Sequence, residues 1–439
     1  MFTRKTMTSL KRWKQYKTTQ ALLVDGARQV GKTTLIEQFA HDNYDHVVEI
    51  NLYENDEARE ALSSATNSKD LFLRISAFAG TTMIPGKTLI FLDEVQECPQ
   101  IITMIKFLMQ RNDYDYILSG SMLGVEPKNI RSQPVGYLMT TTMYPMDFEE
   151  FAWANGIGTD VIDTVREAFN TCTPVDEFIH RRLLQLFHQY LICGGMPDAV
   201  HTFIETNDIQ RTRAVQEGIV DLYRQDISKY AGDRARIVRR IFDLIPAELN
   251  DQNKRFVIRD VEGQSRINRY DNDFMWLSDA NVALPTYNVS EPRYPLAMSM
   301  TSTKFKLFMA DTGLLTYACG MDVVRDILIG RSDINYGSIY ENVVAQELKA
   351  HNNPLYYYKS RTIGELDFLV EHDNVIVPIE VKSGKDYKRH SALNNALRTD
   401  NWHINEAIVF YDGNVEQEGK LLYLPIYMVG CLQGKQRAL

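Results

Sequence analysis

Hydrophobic and polar positions change their period several times along the chain, and each change predicts an element. Short apolar runs at 21–25, 46–52, 88–92 and 115–119 read as buried strands. Between them apolar residues return at helical spacing, as in Thr34-Leu35-Ile36-Glu37-Gln38-Phe39-Ala40. That alternation predicts a parallel sheet covered on both faces. Residues 1–17 predict a helix leading into the first strand. From Tyr144 to residue 230 the pattern is mostly helical, broken at Cys193-Gly194-Gly195-Met196-Pro197. There Gly-Gly ends one helix and Pro197 opens the next. Residues 235–305 predict helices followed by a short wing strand at 282–287. A further helix carrying Glu341 precedes strands at 355–358, 365–370 and 375–382, the last two joined by a hairpin turn at Glu371-His372-Asp373-Asn374.

The first strand runs into a glycine-rich turn. Residues 26–33 read Gly26-Ala27-Arg28-Gln29-Val30-Gly31-Lys32-Thr33, the form G-x-x-x-x-G-K-T, between a strand and a helix. The glycines let the backbone curl so that successive N–H groups face phosphate oxygens. Lys32 supplies a charge for the β- and γ-phosphates, and the Thr33 hydroxyl is positioned to ligate Mg2+. Thr34 completes the candidate nucleotide-binding set. The run ending Leu92-Asp93-Glu94 puts two acids at the carboxyl end of a strand, where open α/β sheets bind ligands. Asp93 is expected to hold Mg2+ through a water, and Glu94 to orient and deprotonate the attacking water. The plainer reading makes the pair an N-cap and a first-turn acid. Ser119 and Ser121 end the next strand, where either can satisfy a local turn. ATP and Mg2+ are the cofactors this arrangement implies.

Composition narrows the classes. At 439 residues the chain exceeds one core, and 44% hydrophobic with 24% charged residues is ordinary for a globular protein. It has no run of eighteen apolar residues, no signal peptide and no lipidation motif, so a cytoplasmic location and no membrane partner are expected. Five scattered cysteines suit a reducing compartment and show no metal spacing. A formal charge of −9 argues against bulk attraction to nucleic acid and leaves only a local patch. The basic clusters Arg4, Lys5, Lys11, Arg12, Lys14, Lys17 and Arg234, Arg236, Arg239, Arg240 read as solvated helix faces.

A second set of acids stands near the C-terminus. Asp367 and Glu380 lie on strands joined by the hairpin, and Glu380 and Lys382, two apart, share a face. With Glu341 from the preceding helix they form the pattern E…D…E-x-K of a PD-(D/E)xK nuclease. In such a site the acids hold Mg2+ or Mn2+, and the lysine stabilises the attacking hydroxide. An ordinary cross-strand ion pair is the alternative.

The chain resembles a bacterial and archaeal family of AAA-type ATPases whose C-terminal half is a domain of unknown function, similar at its end to Holliday-junction resolvases. The resemblance rests on the glycine loop, on 89–96, on Tyr144-Pro145-Met146-Asp147-Phe148-Glu149-Glu150-Phe151, on Gly194-Gly195-Met196-Pro197-Asp198-Ala199-Val200, on 305–315 and on Pro378-Ile379-Glu380-Val381-Lys382-Ser383-Gly384. It implies ATP binding and hydrolysis, and that Ser119 or Ser121 contacts the γ-phosphate or lytic water rather than only satisfying a turn. The expected fold is α/β: a P-loop NTPase core at 1–155, a helical lid at 156–230, a winged-helix-like module at 231–330 and a restriction-endonuclease-like domain at 331–439. ATP turnover would control the C-terminal domain, with DNA, a protein or a second copy of the chain as partner. The alternative is a nucleotide-gated docking module on an inactive nuclease-like fold. Related sequences carry a basic residue in the turn occupied here by Pro134-Val135-Gly136. Arg28, Arg131 and Arg224 are the candidates to replace it as an arginine finger, which a neighbouring subunit would supply if the chain self-associates.

Overall fold

In the computed structural model the first apolar runs become the strands β1 (Ala21–Asp25), β2 (His46–Asn51), β3 (Thr88–Asp93) and β4 (Asp115–Gly120), joined by β5 (Leu138–Thr142). All pair in parallel, in the order β2-β3-β4-β1-β5. The structure describes residues 1–16, 19–121, 136–250, 271–329 and 336–434. Every residue of β1 and β3 is buried, because both faces of the sheet are covered. Leu23, Ile90, Leu92 and Leu118 join one core with Leu62, Leu71, Ile75, Ile101 and Ile105 of the helices Asp56–Ser63, Ser68–Phe78 and Gln100–Met109. The helix Lys32–Asn43 packs on β3 and β4. Since β4 lies between β1 and β3, the carboxyl ends of three strands converge where the glycine loop leaves β1. The strand β5 went unpredicted: Leu138-Met139-Thr140-Thr141-Thr142 is a half-exposed edge strand with no apolar run to announce it.

This sheet belongs to a compact unit of Met1–Tyr144 with Asp279–Asn281; Pro145–Ser278 and Val282–Leu439 form a second unit. The second unit opens with the helices Phe148–Ala154, Thr159–Thr171, Glu177–Cys193, Pro197–Thr206 and Ile209–Tyr230, as the helical spacing predicted. At the Gly-Gly break, Gly194 has φ +73°, and a side chain there would strike the Asp311 carboxylate. Asp311 Oδ2 accepts from the Gly195 amide at 2.6 Å, and its Oδ1 caps the helix Thr312–Cys319 through the Leu314 amide at 3.0 Å.

The rest of this unit, further helices included, is built around an eight-stranded mixed sheet. Its strands are β6 (Ala283–Val289), β7 (Met300–Met309), β8 (Tyr356–Ser360), β9 (Gly364–His372), β10 (Val375–Val381), β11 (Ala407–Tyr411), β12 (Glu416–Glu418) and β13 (Leu421–Pro425). Their order is β12-β13-β11-β10-β9-β8-β6-β7. The expected wing strand is therefore not a free wing. It is β6, hydrogen-bonded in antiparallel register to β7 and in parallel register to β8, so the hairpin is built into the same sheet as the C-terminal strands. Residues 251–270, which the winged-helix expectation also used, lie outside the described residues. The predicted C-terminal hairpin is present: β9 and β10 join through Asp373 and Asn374, both at positive φ (47° and 65°), the two-residue turn that fits strand twist.

Candidate functional site

The glycine loop has the backbone its motif requires. Gly26 lies at φ +152° and Gly31 at φ +89°, and a side chain at Gly26 would collide with the Met143 carbonyl. Gly31 precedes the first turn of Lys32–Asn43, whose leading N–H groups have no partner within the helix. Ala27 and Val30 are buried and anchor the loop, while Gln29 and Thr34 are exposed. Arg4 is buried, and it donates to the Val30 carbonyl at 2.8 Å and the Tyr144 carbonyl at 2.7 Å. It is thus a brace of the loop, not the solvated residue its cluster suggested. Lys32 Nζ donates to the carbonyls of Gly26 and Ala27, each at 2.9 Å. Burial pushes its ammonium pKa down, although Glu94, Asp25 and Asp93 act in the opposite direction.

Asp93, 1% exposed, is the hub. Thr33 Oγ1 donates to its Oδ2 at 2.9 Å and Asn51 Nδ2 to the same oxygen at 3.2 Å. The Ser119 hydroxyl and the Glu94 amide donate to Oδ1. Burial holds this carboxyl above the usual aspartate range; Ser119 and Thr33 partly offset that, and Glu94 adds to it. All these donors are neutral, so the carboxylate keeps its charge for a cation. The residues therefore fit a hydrated Mg2+ between Asp93 and Thr33, beside a phosphate chain on the loop.

Glu94 follows in the left-handed region at φ +56°, a conformation uncommon outside glycine and frequent at functional sites. It stands at the N-cap position of the short 3-10 helix Val95–Glu97, but its carboxylate makes no capping bond. It accepts from the Gln96 side-chain amide and lies 4.0 Å from Arg28, whose guanidinium stacks on Tyr53 with 4.9 Å to the ring centre. Of the two serines, Ser119 is engaged with Asp93, whereas the buried Ser121 hydroxyl has no hydrogen-bond partner among the described residues. Asn51 and Gln96 were missed as site residues. The first could have been found as the polar end of a strand adjoining the acidic one. Gly120 hints at the second, since a side chain there would meet the Gln96 amide. Among the finger candidates, Arg224 is tied to Asp243 at 2.9 Å and Asp221 at 3.1 Å, whereas Arg131 and the 134–135 turn lie outside the described residues.

The C-terminal acids converge, but not on an open position. Continuing the β9–β10 register by one pair sets Glu380 opposite Asp367. Asp367 Oδ2 accepts from the Val381 amide at 2.9 Å, and Lys382 Nζ lies 2.7 Å from Glu380 Oε1. Glu341 is bound by a residue the pattern did not include: Lys306 of β7, fully buried, with Nζ 3.3 Å from Glu341 Oε2 and 2.6 Å from Glu365 Oε1. Among the described residues no group of three or more Asp, Glu, His or Cys side chains is arranged to hold a metal ion. The expected Mg2+ or Mn2+ set of Glu341, Asp367 and Glu380 is not shown: Lys382, the lysine of the pattern, stands on Glu380, and Lys306, which the pattern did not include, stands on Glu341.

Residues 18–152 match the model of an AAA domain, and 184–324 and 336–428 match two domains of unknown function, DUF8612 and DUF4143. No curated protein matches the chain. Similar solved structures include a Walker-type ATPase of Pyrococcus abyssi, 13% identical over 73% of this chain and 96% of that one, with a TM-score of 0.43. AMPPCP-bound DnaA from Aquifex aeolicus is 12% identical over 62% and 80%, with a TM-score of 0.27. The ORC1 protein of Aeropyrum pernix in complex with DNA is 10% identical over 74% and 92%, with a TM-score of 0.28. The five-stranded parallel sheet and its glycine loop are those of a P-loop NTPase fold, and the AAA-domain match falls across them. No helix among the described residues is long and apolar enough to cross a membrane.

Proposed function

We propose that the chain is a Mg2+-dependent ATPase whose nucleotide state governs its restriction-endonuclease-like C-terminal domain, acting in the cytoplasm, where its five free cysteines are at home. One observation carries the reading: buried Asp93 holds Thr33 at 2.9 Å through neutral donors alone, at the head of a glycine loop. Lys32 would exchange its two loop carbonyls for β- and γ-phosphate oxygens. Thr33 and Asp93 would hold Mg2+, which supplies charge neutralisation across those phosphates. Glu94 would accept a proton from water, Gln96 and Arg28 setting its carboxylate, and Ser121 offers a free hydroxyl toward the γ-phosphate. A helix (Gly337–Ala350), the meander β8-β9-β10, a helix (Ser391–Leu397) and the parallel strand β11 support the nuclease-like reading of the C-terminal region. DNA, a protein or a second copy of the chain is the partner on which that domain would act.

The test is Glu94→Gln in the full chain. ATP should bind as before, while Mg2+-dependent phosphate release falls roughly a hundredfold or more. Unchanged turnover would remove Glu94 from the role of base.

A further inference from the structure

The C-terminal carboxylate cluster contains a buried ammonium that neither the E…D…E-x-K pattern nor the ATPase reading uses. Lys306 is 0% exposed. Its Nζ lies 3.3 Å from Glu341 and 2.6 Å from Glu365, and 5.1 Å from the centre of the Tyr357 ring, whose face also favours a cation. Glu365 is held in turn by Lys359 at 2.5 Å. Burial pushes the Lys306 ammonium pKa down, but Glu341, Glu365 and Asp367 together outweigh it and hold it above the usual lysine range. The same Glu341 acts electrostatically on Glu380, so one helix residue links Lys306 to the second acid of the hairpin. Glu380 Oε2 is buried with no hydrogen-bond partner among the described residues.

We propose that the Lys306 ammonium is the resident cation of this cluster, standing where a nuclease-like fold would bind its divalent metal. The inference rests on the restriction-endonuclease-like reading of the domain and is independent of ATP turnover. A monovalent ammonium neutralises carboxylates but cannot polarise a phosphodiester or generate hydroxide as a divalent ion does. The domain is then a nuclease-like fold that does not cut, and it harbours a latent metal site. Replacing the ammonium by an uncharged chain of similar length would remove the counter-charge that Lys306 gives Glu341, and would leave the Glu380 oxygen not held by Lys382 available as a ligand.

The experiment measures Mn2+ binding by titration calorimetry and melting shift. It uses the full chain without nucleotide, carrying Lys32→Ala to silence the loop. That parent should show no Mn2+ site sensitive to Glu341→Gln. Adding Lys306→Met should create one, with a melting rise of several degrees at saturating Mn2+, and adding Glu341→Gln to that variant should abolish it. If Lys306→Met folds poorly, Mn2+ should rescue it where KCl of equal ionic strength does not. A Glu341-dependent Mn2+ site in the parent would overturn the inference. So would a folded Lys306→Met chain that gains no Mn2+ affinity, or a failure of Mn2+ to rescue a misfolded one. Mn2+-dependent cleavage of plasmid or junction DNA by the chain with Lys306 intact would also overturn it, while leaving the ATPase reading untouched.

Discussion

The two acidic sites of this chain use nearly the same parts, carboxylates at strand ends beside a buried lysine, yet they differ in what holds the carboxylates. At Asp93 the partners are hydroxyls and amides from Thr33, Ser119, Asn51 and the Glu94 backbone. Neutral donors orient a carboxylate without cancelling its charge. Lys32, the nearby cation, is spent on the carbonyls of Gly26 and Ala27, bonds that phosphate oxygens can replace at little cost. At Glu341, Glu365 and Glu380 the partners are Lys306, Lys359 and Lys382. There each of these three glutamates already has an ammonium partner. The capacity of an acid cluster for a metal is set less by how many carboxylates converge than by whether a protein cation arrived first.

The largest expected effect comes from removing that cation. Lys306→Met leaves Glu341 buried without its counter-charge, and breaking a buried pair from one side costs about 3 kcal/mol or more. Scanning calorimetry should show the second unit melting well below the parent at neutral pH without metal. A loss no larger than that of an exposed lysine would mean that Lys306 is not neutralising the cluster.

Next in size is Lys32→Ala. The loop would lose the one charge placed for the β- and γ-phosphates, so affinity for a fluorescent ATP analogue should fall roughly a hundredfold. Because the hydrogen bonds of Lys32 among the described residues go to its own loop, the melting temperature without nucleotide should hardly move. Coupled losses of binding and stability would make it a structural residue like Lys306. Asn51→Ala should act more weakly: Asp93 keeps Thr33 and Ser119, and steady-state hydrolysis should drop about tenfold, the worth of one hydrogen bond to a charged group. Full activity would show that Asn51 does not help to position Asp93.

The same contrast explains what could be read in the sequence. The loop, β1, β3 and Asp93-Glu94 were legible because their chemistry is local: a motif and the strand or helix around it are contiguous. The turn at Asp373-Asn374 was legible for the same reason. Lys306 was not. Its partner Glu341 is 35 positions away, and along β7 the alternation Lys304-Phe305-Lys306-Leu307 looks like an amphipathic strand with lysines in solvent. Only the fold brings it beneath the helix Gly337–Ala350. The place of the wing strand was hidden similarly, since the pairing of Tyr287 with Tyr356 that builds its hairpin into the large sheet leaves no local signal. Arg4, read as a surface charge, is buried because its carbonyl acceptors at Val30 and Tyr144 come from distant segments.

The smallest effect separates the two sites by the sign of a pH dependence. Burial raises the Asp93 carboxyl above its ordinary 3.8, whereas Glu365, although burial pushes it up, is carried below 4.5 by Lys306 and Lys359. A raised carboxyl contributes stability that is present below its unfolded value and lost as pH climbs through the folded one. A lowered carboxyl contributes stability that is present above its unfolded value and lost as pH falls through the folded one. Neutral variants remove each term. Measured against the parent without nucleotide, Asp93→Asn should become relatively more stable as pH rises from about 4 upward. Glu365→Gln should become relatively less stable over the rise through about 4.5, a change damped because its side chain is partly solvated. Constant offsets from lost hydrogen bonds cancel in these slopes, so their signs alone are diagnostic. Two slopes of the same sign would mean that ammonium and neutral partners treat their carboxylates alike, and the distinction between an open and an occupied acid cluster would fail.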